Sequence, residues 1–193
     1  MKQAHNIFQS NGFGKVAPWV DLVNSEEWDG FGRLTDQLAN PRWLGSFLKH
    51  WDLYPVRSKS APRRKLAQLR SLLRRAAEKA ATGDALTRGE ISTLNRVLNV
   101  PVWQKLVQNQ NGFCTETVPV RSDWDWVQAR IAASFGEMLA TRELQRIKIC
   151  ANPDCRWVFH DPTKGRTKRW CNDRTCGNRS RVRRARAAQK QKA

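Results

Sequence analysis

Four of the five cysteines in this sequence stand in two pairs near its C-terminus. Four residues separate Cys150 from Cys155, four separate Cys171 from Cys176, and fifteen lie between the pairs. Four thiolates can complete a tetrahedral Zn²⁺ shell and leave no position open, which is typical of a structural rather than a catalytic metal site. We therefore expect one structural Zn²⁺ held by these four cysteines.

Two other interpretations of this cluster are open. A disulfide framework would suit a secreted chain, but no apolar signal-peptide segment follows Met1. His160 could also replace one cysteine as a ligand. We favour the four-cysteine site, because cysteines that serve only as small hydrophobic groups belong in a core, and this segment is basic and polar. Cys114 has no paired spacing, and we expect it to be a lone, half-buried thiol.

The positive charge of the chain is concentrated around these cysteines. The 193 residues include 35 Lys and Arg against 17 Asp and Glu, a net charge of +18. Residues 146–193 hold 15 of the basic residues and three acidic ones, so they carry 12 of the 18 charges. Such an excess predicts a polyanionic partner, and nucleic acid is more common in that role than a membrane surface.

The elements around the cysteines predict a treble-clef-like finger in residues 146–193. The Asn-Pro-Asp segment 152–154 favours a chain reversal between the first two cysteines. Residues 157–159 predict a strand whose Trp and Phe rings pack over the metal. Asp173 is expected to cap a helix from about Arg174 to Ala188, with the fourth cysteine in its first turn. A strand pair followed by a helix is the order that a treble clef needs.

That last helix presents a stripe of basic residues. Arginines without intervening acidic residues repel one another unless a phosphate backbone neutralises them, and Arg makes bidentate contacts with phosphate and with guanine edges. A merely soluble tail is the alternative. The candidate nucleic-acid-binding residues are Lys168, Arg169, Asn178, Arg179, Arg181, Arg183, Arg184, Arg186 and Lys190.

Residues 1–145 predict a mainly α-helical domain. A short apolar segment at 17–24 is compatible with a helical turn or a strand. Helices are predicted after Asn40-Pro41, from Pro62 to Gly83, and after the Thr87–Glu90 capping box. The second of these helices carries basic residues on its outer faces, which we interpret as a solvated surface rather than a phosphate site.

The rest of this domain predicts a hairpin and a connecting helix. Strand-like residues at about 102–118 flank Asn111-Gly112, a dipeptide that favours a hairpin turn. A long helix at 122–144 then leads into the finger without a flexible linker. The fold class is therefore a mainly α domain with a small β-hairpin (α+β), followed by a Cys₄ treble-clef-like zinc finger.

Other parts of the sequence limit the function. The nine tryptophans predict an ordinary core, with an aromatic pocket for a small apolar effector as the alternative. No catalytic triad, carboxylate pair, phosphate-binding loop or open metal site is visible, so we expect no enzymatic activity. No apolar stretch approaches the roughly 18 residues of a membrane span. We expect a cytoplasmic protein.

The segment from Arg146 to about Lys190 resembles the CGNR zinc-finger family, because it contains Cys-Gly-Asn-Arg at 176–179 preceded by Trp157, Phe159 and Asp161. The resemblance implies an N-terminal ABATE domain and a role as a bacterial stress-induced transcription regulator. Residues 20–24 and 43–44 are similar to the start of that domain. Two departures stand out: Ala185 occupies a position where His is common, and a Ser/Asn-rich turn is usual where this chain has residues 163–167.

These observations favour a DNA-binding transcription regulator whose finger contacts duplex DNA, with the N-terminal domain serving sensing or homodimerisation. An RNA- or ribosome-associated zinc protein is the first alternative, because a basic zinc module also suits structured RNA. A ligand-binding or interaction module in which zinc only stabilises the fold is the second. Preference for DNA over RNA, and the effect of replacing basic residues of the last helix, discriminate between them.

Overall fold

The computed structural model of the protein describes residues 17–53, 60–110, 112–141 and 145–191. A helical domain with two β-hairpins is followed by a third hairpin and a final helix. In chain order the elements are α1 (Pro18–Val23), β1 (Glu26–Trp28), β2 (Leu34–Asp36), a 3₁₀ turn (Gln37–Ala39), α2 (Pro41–His50), α3 (Arg63–Thr82), α4 (Arg88–Leu98), β3 (Val102–Asn109), β4 (Gly112–Pro119), α5 (Trp124–Ala140), β5 (Ile147–Ile149), β6 (Val158–His160), a wide π turn (Asp173–Gly177) and α6 (Asn178–Lys190). The predicted fold class is confirmed.

The helix boundaries follow from local chemistry. The Asn40 side chain accepts a hydrogen bond from the Arg42 N–H at 3.0 Å and caps α2. Thr87 and Glu90 form the predicted reciprocal capping box at the start of α4. Gly83 ends α3 with a φ of +84°, in the left-handed region that glycine adopts without strain. These three boundaries agree with the sequence-based predictions.

The main core lies between α1, α3 and α5. Trp19 of α1 is fully buried, and its ring meets Phe135 of α5 edge-on with 5.0 Å between centroids. From the finger, Ile147 of β5 and Val158 of β6 are buried in the same core, 2% and 0% exposed. The first strands of the finger are therefore part of the hydrophobic core of the N-terminal domain.

The β1–β2 hairpin was not predicted from the sequence. Its strands pair in antiparallel register, from Glu26 opposite Asp36 to Trp28 opposite Leu34.

Arg70 of α3 fixes the hairpin: its guanidinium donates to both Asp36 carboxylate oxygens, at 2.6 and 3.0 Å. Arg70 is only 4% exposed, so the interpretation of all the basic residues of this helix as a solvated face is wrong at this position. Helical spacing alone does not reveal a carboxylate brought in by a distant strand.

The β3–β4 hairpin forms as predicted, with its turn one residue earlier than expected. Asn109 pairs with Gly112, so only positions 110 and 111 lie between the strands. Asn111, half of the predicted turn dipeptide, lies outside the described residues. Gly112 has a φ of +109°, which residues with a Cβ rarely adopt.

Helix α5 ends at Ala140, four residues before the predicted end at 144. The backbone of Thr141 is extended, with φ of −101° and ψ of 162°. Its N–H and its hydroxyl both donate to the Met138 carbonyl, at 3.1 and 2.8 Å, which closes the last turn. Residues 142–144 lie outside the described part of the chain.

Because Asp21 of α1 has a buried carboxyl, we expect the stability of the folded protein to depend on pH. Burial raises the pKa of this carboxyl from 3.8 to about 7, against the opposing hydrogen bond from Trp51 Nε1 at 2.8 Å. The folded state thus keeps a proton that the unfolded chain releases above about pH 4, so this contribution to stability is lost as pH rises through 7.

We expect Asp21→Asn to remove this pH dependence. The stability of the variant relative to the native protein should increase by about 2 kcal/mol between pH 5.5 and 7 and stay constant above that, because each pH unit below the folded pKa is worth about 1.4 kcal/mol. Chemical denaturation of both proteins at a series of pH values with excess Zn²⁺ measures the difference. A difference that does not vary with pH would contradict the prediction.

Candidate metal centre and nucleic-acid interface

The four predicted ligand cysteines come together in one buried cluster. All four sulfur atoms lie within 4.8 Å of one another, and each residue is 5% exposed or less. The Cys155 and Cys171 sulfurs are 3.6 Å apart, and those of Cys171 and Cys176 are 3.8 Å apart. Tetrahedral Zn²⁺ with Zn–S bonds of about 2.3 Å places its sulfurs about 3.8 Å from one another. The donor set therefore fits a single Zn²⁺ ion.

The electrostatics of the cluster also indicate a metal site. Contacts with the Cys150 and Cys155 sulfurs, reinforced by burial, raise the pKa of the Cys171 thiol. Four thiolates at these distances would repel one another without a cation between them. A divalent ion favours the deprotonated thiols and so compensates this cost, which couples metal binding to folding.

Short backbone hydrogen bonds hold the first two cysteines. The Cys150 N–H donates to the Trp157 carbonyl at 2.8 Å, and the Cys155 N–H donates to the Asn152 carbonyl at 3.0 Å. Asn152 is fully buried, and its side-chain amide lies 3.7 Å from the Cys176 sulfur. The predicted chain reversal at 152–154 thus forms the first knuckle of the metal site.

Aromatic rings cover the cluster. Phe159 is fully buried among the cysteines, and Trp157 and Trp170 pack against them from partly exposed positions. The predicted packing of Trp157 and Phe159 agrees with this arrangement, whereas the regular strand begins one residue later, at Val158. The rings exclude water from the sulfurs.

Asp161 organises the return loop, a role that sequence reasoning missed. The carboxylate accepts from the Thr163 N–H and hydroxyl at 2.9 and 2.6 Å, and from the Lys168 N–H at 2.8 Å. Lys148 Nζ lies 2.9 Å away. Burial alone would raise the pKa of Asp161, but these donors outweigh it and lower the pKa below its usual range. The Asp-Pro-Thr sequence, a pattern that favours side-chain-to-backbone turns, was the available signal.

The cap of the last helical segment is Asn172 rather than the predicted Asp173. The Asn172 side chain accepts from the Arg174 and Thr175 N–H groups at 2.9 and 3.2 Å. A wide turn at 173–177 precedes the regular helix α6, which begins at Asn178 and not near Arg174. A Cβ at Gly177 would lie 2.5 Å from Asp173 Oδ1, so a larger residue there would displace the Asp173 side chain.

Three of the candidate nucleic-acid-binding arginines make contacts within the protein. Arg179 Nη1 donates to the Asp29 carbonyl at 2.8 Å. Arg181 pairs with the Asp173 carboxylate at 3.2 Å, and Arg183 pairs with that of Asp154 at 2.5 Å. The sequence placed all three on a basic surface without indicating these partners, because the partners come from other segments.

The other candidate nucleic-acid-binding residues make fewer contacts within the protein. Lys168 and Arg169 lie beside the Phe159 and Trp170 rings, at 5.5 and 5.4 Å from the ring centroids. Asn178 is exposed at the start of α6. Among the candidate cations, Arg184, Arg186 and Lys190 are exposed and have no partner in the described part of the chain.

The tryptophans do not gather around one pocket. Trp19 lies in the core, Trp43 stacks on Phe47 at 5.2 Å, and Trp103 is 55% exposed. A cleft of about 1670 Å³ between α3, α4 and the start of α5 has Trp126 as its one tryptophan within the described ranges, beside several charged residues. The small apolar effector stays a prediction.

Two family models match the chain. The CGNR zinc finger matches residues 146–189, and the ABATE family, described as "Putative stress-induced transcription regulator", matches residues 17–142. The second match covers more than half of the chain, so the protein belongs to the ABATE family and carries a CGNR zinc finger. The predicted family is confirmed. No curated protein matches the chain.

None of the helices in the described ranges combines the length and the apolar character needed to cross a bilayer.

We expect one Zn²⁺ per chain, and its loss on Cys176→Ser. Because Ile147 and Val158 lie in the main core, loss of the metal should also increase exchange along α3 and lower Tm by about 10 °C. Metal analysis, hydrogen exchange and thermal unfolding measure these effects.

Cys114→Ser is the matched control, since Cys114 lies outside the cluster and is exposed rather than half-buried as predicted. It should keep the metal and the native Tm. If the native protein contained no metal and hydrogen exchange in the finger were still slow, the zinc assignment would be wrong.

Proposed function

We propose that this protein is a transcription regulator that binds duplex DNA through α6 of its zinc finger. Its N-terminal domain serves sensing of an effector, pairing of two copies, or both. The proposal includes a bacterial, cytoplasmic and non-enzymatic protein that acts in a stress response; the description of the family supports the regulatory and stress-related part. The observation that carries it is the exposed, uncompensated positive charge in the second half of α6.

This part of the helix contributes nothing to the core. No residue of α6 is buried, and positions 178–191 include no Asp or Glu. Arg184, Arg186 and Lys190 repel one another and have no partner in the described residues. A phosphate backbone would neutralise them and release its own counterions, which is the main electrostatic gain in DNA binding. A helix of this kind also has the diameter that the major groove admits.

A second copy of the chain is the partner that we propose for the β3–β4 hairpin. Among the described residues no other element packs extensively on this hairpin. Leu106 and Phe113 lie on the same face of the hairpin and are 68% and 71% exposed. Lys105 and Glu116 are the only charged residues of the two strands, in a chain of net charge +18, and they lie opposite each other on the other face, beside Trp103. Two copies can therefore meet at this neutral, apolar surface without repulsion, whereas a nucleic acid would find no charge there.

Replacing the three free cations tests DNA binding. We expect Arg184→Ala, Arg186→Ala and Lys190→Ala together to weaken binding to duplex DNA and to lower the salt slope by about 2 to 3, because each phosphate contact contributes nearly one counterion. Fluorescence anisotropy at several salt concentrations measures both quantities, and competition with structured RNA tests the alternative partner.

The control removes the same charge elsewhere, with Arg42→Ala, Arg63→Ala and Arg88→Ala, all exposed residues of other helices. It should keep nearly the native slope. Equal slopes for the two triple variants would contradict the proposed interface, and tighter binding to RNA would replace DNA by RNA as the partner.

Charge placed on the hairpin tests the pairing of two copies. We expect the native protein to be dimeric at micromolar concentration, and Leu106→Glu with Phe113→Glu to be monomeric, because the second copy would bury both carboxylates. Light scattering after size-exclusion chromatography gives the mass. Ile91→Glu, at an exposed apolar position of α4, should remain dimeric, and a monomeric native protein would exclude this partner.

A further inference from the structure

The first arginine of α6 leaves the basic surface and enters the N-terminal domain. Arg179 donates from Nη1 to the Asp29 carbonyl at 2.8 Å, and its guanidinium lies 4.1 Å from the centroid of the Phe31 ring. Asp29 and Phe31 belong to the turn between β1 and β2, 150 residues earlier in the chain. One side chain thus connects the start of the finger's helix with the N-terminal domain.

The turn has the shape that this guanidinium needs. Gly30 is buried with a φ of +80°, and a Cβ at this position would lie 2.0 Å from Arg179 Nη1. The Asp29 carboxylate accepts from the Phe31 and Arg33 N–H groups, at 2.7 and 3.2 Å, and keeps the turn in this form. We call residues 29–31 the arginine seat.

The arginine seat is tied to rigid elements on both sides. In the N-terminal domain, buried Arg70 of α3 fixes β2 through Asp36, as described above, and lies 3.2 Å from Glu26 of β1. On the finger side, Asn152 Nδ2 lies 3.5 Å from the Gly30 carbonyl and 3.7 Å from the Cys176 sulfur. A continuous series of contacts therefore leads from α3 through the β1–β2 turn to the cysteine cluster and to α6.

This arrangement separates two groups of cations on α6. Arg179 and Arg183 are four residues apart on one helix face, and both contact the protein. Arg184 projects from a different face and has no partner in the described residues. A guanidinium that donates to a main-chain carbonyl and lies on a ring is held in one orientation by these two contacts, which limits the directions in which its remaining donors can reach phosphate.

We propose that Arg179 is a positioning residue, and that the arginine seat is the element through which the N-terminal domain sets the orientation of α6 on DNA. This inference rests on the proposed function. It assigns the arginine of the Cys-Gly-Asn-Arg motif to the joint between the domains instead of to a phosphate contact. A change in the β1–β2 turn then alters DNA binding without changing any charge on the DNA-binding surface.

Gly30→Ala tests this directly, because it removes no charge and lies outside the finger. We expect DNA affinity to fall about 10-fold with an unchanged salt slope, whereas loss of a phosphate contact would lower the slope by about 1. Arg179→Ala should cause the same loss with the same slope. The double variant should be no weaker than Arg179→Ala, because both changes remove one contact.

Gly32→Ala is the matched control. Gly32 lies in the same turn with a φ of +93°, so a Cβ brings similar backbone strain, but it would meet no atom within 4 Å. This variant should bind DNA like the native protein, and all variants should keep one Zn²⁺ per chain. A lower slope for Arg179→Ala, with native binding by Gly30→Ala, would make Arg179 a phosphate contact and overturn the proposal.

Hydrogen exchange provides a readout that does not depend on DNA binding. Gly30→Ala and Arg179→Ala should each speed exchange in residues 178–182 and 29–33, and Gly32→Ala should leave 178–182 unchanged. If exchange is faster in these two variants but the native protein does not bind DNA, the contact between the domains is supported and the proposed function is refuted. Native exchange at 178–182 in both variants would refute the joint itself.

Discussion

The gathering of four thiols in one water-excluded cluster is the constraint on which the finger depends. The sulfurs of Cys155, Cys171 and Cys176 are already at the separations of a tetrahedral shell. Burial and mutual repulsion oppose the deprotonation of all four, and a divalent cation reverses that balance. Because a short finger has few apolar residues of its own, the metal centre and its aromatic cover replace the core that a larger domain would have.

The finger packs directly against the N-terminal domain, so we expect a metal bound in the finger to stabilise both parts. Asn24 of the N-terminal domain accepts from the Val158 N–H and donates to the Val158 carbonyl, both at 2.9 Å, as a neighbouring strand would. Arg74 of α3 donates to the Val23 and Arg156 carbonyls, and so joins both parts. An orientation of the finger fixed by such contacts limits how α6 can approach a partner.

The large positive charge therefore has two physical uses in this protein. Arg70, Arg74 and Arg179 satisfy carbonyls and carboxylates at internal boundaries, where a planar guanidinium with several donors is well suited. Arg184 and Arg186 remain in solvent, where they are available to a polyanion. Net charge alone indicates the class of partner, and it does not show which residues reach that partner.

The sequence by itself determined the elements that depend on neighbouring residues. The paired Cys spacing, the Asn40 and Thr87 caps and the Gly83 helix end are local patterns, and the structure contains each of them. The motif around Cys176 was also sufficient to predict the family. Local patterns succeed here because caps, turns and metal knuckles are formed by residues within about five positions of one another.

Only the tertiary structure decided how distant segments meet. The β1–β2 hairpin has three-residue strands with little periodicity, and it is held by Arg70, more than thirty residues away. The contact of Arg179 with Asp29 spans 150 residues. A guanidinium looks the same in a sequence whether it meets water, a carboxylate or a carbonyl, because its partner is set by packing and not by spacing. The assignment of each arginine to structure or to surface therefore required the fold.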